Sequence, residues 1–156
     1  MTILSLFAAL MIALQVAMAS LPNIELVTLL IILVTVHLGW KALFSVAVFV
    51  LVEGLIYGFN IWFINYLYVW PILTLIVMAL RSQSSVLLWT IVAGFYGLLF
   101  GTLCSVPYFL TGGWAAGISY IAAGLTFDLA HCAGNIVSVL VLFTPLDKIL
   151  RRCLTR

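Results

Sequence analysis

Apolar positions in this chain run together instead of alternating with polar ones. Leu29 to Val36 and Val86 to Val92 are apolar on both alternating faces, whereas transmembrane β-strands show segments of about 10 residues alternating apolar and polar. The pattern therefore predicts helices. Polar or turn-forming breaks place them near 2–19, 25–38, 41–57, 64–81, 86–106 and 126–143, with a further helical piece near 113–123. The weakest boundary is Gly39-Trp40-Lys41. One helix from Glu25 to Tyr57 would set Lys41 deep in hydrocarbon at roughly 3 kcal/mol, so a tight turn is expected there. Met1 to Ser20, ending Ala17-Met18-Ala19, imitates a signal peptide but lacks the preceding basic residues, and reads as a retained first helix.

Composition names the solvent. Of 156 residues, 67% are hydrophobic and 6% charged, a balance unsuited to a water-facing surface. Six spans of roughly 20 residues use about 120 of them, leaving only short connections. The expected fold is an all-α integral membrane protein with about six transmembrane helices. It forms one transmembrane domain over 1–156 that ends in a short basic cytoplasmic tail, 145–156.

The positions of the charges predict its orientation. Lys41 follows the second span, Arg81 the fourth, and Lys148, Arg151, Arg152 and Arg156 the sixth, while the connections near 20–25, 58–63 and 107–125 have no basic residue. The positive-inside rule then puts both termini in the cytoplasm, in a multi-pass protein of the bacterial plasma membrane. Leu146 to Leu154 reads as a tail helix against anionic lipid that anchors this topology. Six basic residues are too few for a nucleic-acid surface. Cys104, Cys132 and Cys153 are far apart, with no Cys-x-x-Cys spacing, and read as small buried hydrophobes.

On this topology Glu25, Glu53 and Asp128 share the outer half. Asp128, His131 and Asn135, at i, i+3 and i+7, form one helical stripe that should face protein or water. Ionisable groups inside a membrane point to a functional site, although each of these residues has an alternative reading as a cap or an interhelical hydrogen bond. Between Tyr57 and Trp70, seven aromatic residues interleave with Gly58, Asn60 and Asn65. Any one of them can be an interfacial anchor. Together with convergent amides and carboxylates, they suit a small, flat, polar molecule. The expected substrate-binding residues are Asn23, Glu25, Glu53, Asn60, Trp62, Asn65, Tyr66, Asp128, His131 and Asn135, with Pro22-Asn23-Ile24-Glu25 closing the site from above. The scarcity of outward basic residues argues against a multiply anionic ligand.

His37 and His131 fall in opposite halves, so no shared metal is expected. Walker, Gly-x-Ser-x-Gly and His-Glu-x-x-His motifs are absent from the sequence. A paired-carboxylate mechanism for Glu53 and Asp128 ranks below their binding and structural readings. The expectation is a protein without catalytic residues, cofactor or metal.

Ala9-x-x-x-Ala13-x-x-x-Ala17, Pro22-Asn23-Ile24-Glu25, Glu53-Gly54-Leu55-Ile56-Tyr57-Gly58 and Asp128-x-x-His131-x-x-Gly134-Asn135 together resemble the substrate-binding S components of energy-coupling factor (ECF) vitamin transporters. The resemblance spans nearly the whole chain through its size, its six spans and its cytoplasmic termini. It implies capture of a vitamin or vitamin precursor from outside, and partnership with a transmembrane coupling subunit and two ATPase subunits. Cobalamin and a pyridoxine-like or pyrimidine precursor all remain open as substrates. In that family the alanine motif faces the coupling subunit, a role that falls here on Ala9, Ala13 and Ala17; the alternative is packing within the chain. Many members cover the ligand with a longer first loop, whereas about six residues join the first two helices here, which implies a more open pocket. The reading from another class is an MreD-type multi-helix scaffold of cell-wall morphogenesis, which would need no aromatic-amide pocket.

Overall fold

The computed structural model describes residues 2–21 and 23–154, so Pro22 and Arg156 lie outside the described residues. The chain is all-helical, 88% helix, with no strand among the described residues. By length and composition alone, three helical runs suffice to cross a membrane: Val27–Tyr57, which turns back at Gly39, Ile61–Leu80 and Val106–Leu154. Their outward side chains include Leu55, Leu67, Val137 and Leu140, all more than half exposed. Such a surface is compatible with a protein embedded in lipid.

In chain order the helices are α1 (Thr2–Ala17), α2 (Val27–Leu38), α3 (Ala42–Tyr57), α4 (Ile61–Leu80), α5 (Val86–Leu98), α6 (Phe100–Cys104) and α7 (Val106–Leu154). Helix α2 is the axis. Every residue from Val27 to Thr35 is buried, as expected of a helix that is apolar all round. It packs on α1, α4 and α7. Its 12 residues rise about 18 Å, short of a bilayer core of roughly 30 Å, and its sides meet protein.

The turn expected at Gly39-Trp40-Lys41 is present as a 3-10 turn, Gly39–Lys41. Gly39 has φ 60°, and a Cβ there would meet Arg81 Nη1 at 2.7 Å. The chain reverses at this turn, because Glu25 before α2 and Glu53 near the end of α3 border cavities that share Gln15, Ala19 and Tyr66. Arg81 lies beside the turn, and His37 at the same end of α2 bonds Asp147 Oδ1 through Nε2 at 2.8 Å. The described basic residues therefore collect at one end of the helical body, and Glu25, Glu53 and Asp128 at the other.

Three expected boundaries differ. The span near 86–106 is interrupted at Leu99 and Ser105, leaving α5 and the short α6. The separate pieces near 113–123 and 126–143 and the tail from 145 are one helix. The only backbone break inside α7 is at Gly113, with φ 71°, where the chain folds Phe109 against Gly117 and stacks Tyr108 on Tyr120 at 4.1 Å. Pro145 lies inside α7 without ending it. The 107–125 connection is thus largely helical. Its turn signals, Gly112 and Gly113, mark a single reversal.

Replacing Gly39 with alanine forces a side chain into a left-handed conformation and against the Arg81 guanidinium. The expected loss is about 1–2 kcal/mol, measurable as a lower unfolding midpoint in mixed micelles. A Gly58→Ala variant, also at positive φ but with open space around the glycine, should lose no more than the backbone share of that amount.

Candidate ligand-binding site

The acidic end holds three adjoining cavities. A central one of about 250 Å³ is lined by Gln15, Asn23, Glu25, Tyr66, Trp70, Phe100 and His131, among others. Asn23 and Phe100 also border a second, of about 360 Å³, which reaches Asp128 and Tyr120. Gln15 and Tyr66 also border a third, of about 300 Å³, with Glu53, Tyr57 and Trp62.

Local structure places each carboxylate differently. Glu25 precedes α2, and its Oε2 accepts from the Thr28 backbone N–H at 2.8 Å, satisfying one of the orphan donors of the helix start. Its Oε1 bonds His131 Nε2 at 2.9 Å, with both side chains buried. Asp128 Oδ1 accepts from the Gly101 backbone N–H at 2.9 Å. That contact needs glycine, since a Cβ at Gly101 would stand 2.5 Å from Asp128 Oδ2. Glu53 is 2% exposed, and its Oε1 has no hydrogen-bond partner.

The stripe of Asp128, His131 and Asn135 does face protein, and all three are buried. Its members divide by role. Asp128 and His131 border cavities, whereas Asn135 Nδ2 donates to the Ala93 carbonyl at 3.1 Å and borders none of the three. Asn135 ties α7 to α5, which is the interhelical alternative. Asn60 is the N-cap of α4, with Oδ1 accepting from the Trp62 backbone N–H at 3.1 Å. Asn65 is buried and accepts from Tyr68 Oη at 2.9 Å. Neither amide lines the cavities. Asn23, Glu25, Glu53, Trp62, Tyr66, Asp128 and His131 do.

Asn23 has φ 56°, a left-handed conformation that asparagine tolerates better than most residues. With Leu21 and Ile24 it walls the central cavity, where a covering segment was expected; Pro22 lies outside the described residues. Sequence reasoning missed Gln15, Phe100 and Tyr120. Gln15 carried a usable signal as an uncompensated amide inside an apolar helix. The two aromatics carried none.

The aromatic wall is continuous. Trp62 meets Tyr66 edge-on at 5.2 Å, and Tyr66 meets Trp70 at 5.3 Å. Phe100 joins Trp70 at 5.4 Å and the His131 ring at 4.9 Å. Among the described residues no group of three or more His, Cys, Asp or Glu side chains could hold a metal ion.

Ala9, Ala13 and Ala17 lie on the outer surface of α1, all exposed, while Leu4, Phe7, Ala8 and Met11 form its buried face.

Coupling between Glu25 and His131 should appear in a double-mutant cycle of Glu25→Gln and His131→Phe, with an interaction of roughly 0.5–3 kcal/mol in unfolding. Asn60→Ala should cost about 1 kcal/mol as a lost cap and leave ligand binding unchanged. Comparisons with family models, with curated proteins and with solved structures gave no match to this chain.

Proposed function

We propose that the chain is the substrate-capturing membrane subunit of an ECF-type importer. On this reading it crosses the membrane about six times with both termini in the cytoplasm, in a bacterial plasma membrane. It takes a vitamin or vitamin precursor into the cavities at its acidic, outward end. It passes the molecule to a transmembrane coupling subunit driven by two ATPases, and performs no chemistry itself.

The observation that carries this reading is the aromatic-lined cavity system bordered by Glu25, Glu53, Asp128 and His131. A pure scaffold has no use for a polar hollow or for a buried acid without a partner, and Glu53 is one. The exposed alanines of α1 supply a second surface, where small residues four apart let another helix backbone approach closely. The segregation of basic residues supports the orientation.

Ala13→Trp tests the reading. An exposed substitution changes stability by roughly 0.5 kcal/mol or less, so the variant should fold and retain any small molecule that co-purifies with the parent. It should lose co-purification with the ATPases and vitamin uptake by cells. Uptake that persists in cells lacking the ATPases would overturn the proposal. Alkaline phosphatase fused after Arg156 should be inactive, and the same reporter within 107–125 active.

A further inference from the structure

Three acids border the cavities, but two are already engaged. Glu25 bonds His131 and the Thr28 backbone, and Asp128 bonds the Gly101 backbone. Glu53 differs. It is as deeply buried as the others, yet its Oε1 has no partner, and no hydrogen bond or ion pair to it exists among the described residues. Leaving a buried carboxylate unpaired is expensive, so a site that keeps one is built for a group supplied from outside.

The surroundings of Glu53 specify that group. Its cavity is walled by Tyr57, Trp62 and Tyr66, with Gln15 and Ala19 from the other side. Tyr57 and Trp62 meet edge-on at 6.5 Å and 82°, Trp62 and Tyr66 at 5.2 Å and 80°. Rings set nearly perpendicular make two walls of a box, and aromatic faces attract cations. Lys41, Arg81 and Arg151 belong to the opposite end, by the turn at Gly39 and the His37–Asp147 bond. Among the described residues, no Lys or Arg pairs with the carboxylate.

We infer that Glu53, Tyr57, Trp62 and Tyr66 form a subsite for the positively charged head of an organic ammonium or heteroaromatic cation, with Gln15 hydrogen-bonding its polar body. This deepens the capture reading and rests on it. The central cavity, which shares Gln15 and Tyr66, holds the remainder of the molecule. Three carboxylates, with no Lys or Arg at that end among the described residues, argue against a multiply anionic ligand.

The test uses the full chain in nanodiscs and calorimetry with benzyltrimethylammonium, neutral benzyl alcohol and benzenesulfonate. The cation should bind about tenfold or more tightly than either of the others. Glu53→Gln should remove most of that preference while raising the unfolding midpoint, because it relieves a buried unpaired charge. Glu53→Asp should keep part of the preference. A group with a merely structural role would lose stability in Glu53→Gln and leave the charge preference intact, which would overturn the inference. Equal binding of all three probes, or none, would also overturn it. Mass spectrometry of molecules co-purified with the parent separates this failure from that of the capture reading. A neutral or anionic co-purified molecule, with ATPase association still lost in Ala13→Trp, sinks the cation subsite and leaves capture standing. Preference for the cation alongside ATPase-independent uptake sinks the importer and leaves the subsite.

Discussion

Helix α2 is held to α7 at both ends by an acid–histidine pair, and the arrangement of the other helices depends on that clamp. Before α2, Glu25 meets His131; at its far end, His37 meets Asp147. The two pairs run in the same order along both helices, so α2 and α7 are parallel. They use opposite donors, with the acid on α2 at one end and on α7 at the other. In a lipid-like interior no solvent satisfies such groups, so sliding α2 along α7 would leave both pairs broken at once. Register is thereby set without a single polar side chain along the middle of α2 except Thr28 and Thr35.

Once α2 is fixed, its neighbours follow. Gly101 allows the Asp128 carboxylate to reach the start of α6, and Asn135 joins α7 to α5 one layer deeper. Ser45 near the start of α3 donates to the Leu4 carbonyl of α1 at 2.8 Å, pairing these helices near the basic end. Tyr96 Oη donates to the Val69 carbonyl at 2.8 Å, tying α5 to α4. Each link is one polar side chain against one backbone group or partner. At the acidic end the cavities are walled by aromatic rings, several of which meet edge-on.

Much of this was legible because the periodicity of a helix depends only on sequence. The i, i+3, i+7 spacing of Asp128, His131 and Asn135 put them on one face, and the break at Gly39 followed from the penalty on Lys41. What periodicity leaves open is the neighbour. It put Asn135 beside His131 without revealing that the Ala93 carbonyl would take its amide, and it grouped Asn60 with the aromatics although that residue caps a helix. Boundaries failed where glycines and prolines pointed to breaks that packing did not need: α7 continues through Pro145, and only Gly113 of the paired glycines adopts the conformation that interrupts a helix. Gln15 is the one polar side chain in the second half of α1, and that isolation was itself the signal.

Helix α1 carries two surfaces that face apart. Leu4, Phe7, Ala8 and Met11 make its inner face, and the same face continues to Gln15 at the cavity and to Met18 in the turn just beyond. Ala13 and Gln15 are two residues apart, about 200° around the helix, so the alanine strip points away from the ligand side. A partner helix lying along Ala9, Ala13 and Ala17 would touch a rigid rod whose far side ends among the cavity walls. Under the proposed function, tilting of α1 by a partner would move Gln15, Met18 and Ala19 relative to Glu25, which α2 and α7 hold still. The clamp on α2 and the free outer face of α1 are thus complementary: one side of the hollow is fixed by buried pairs, and the other is borne by a helix that a partner can reach.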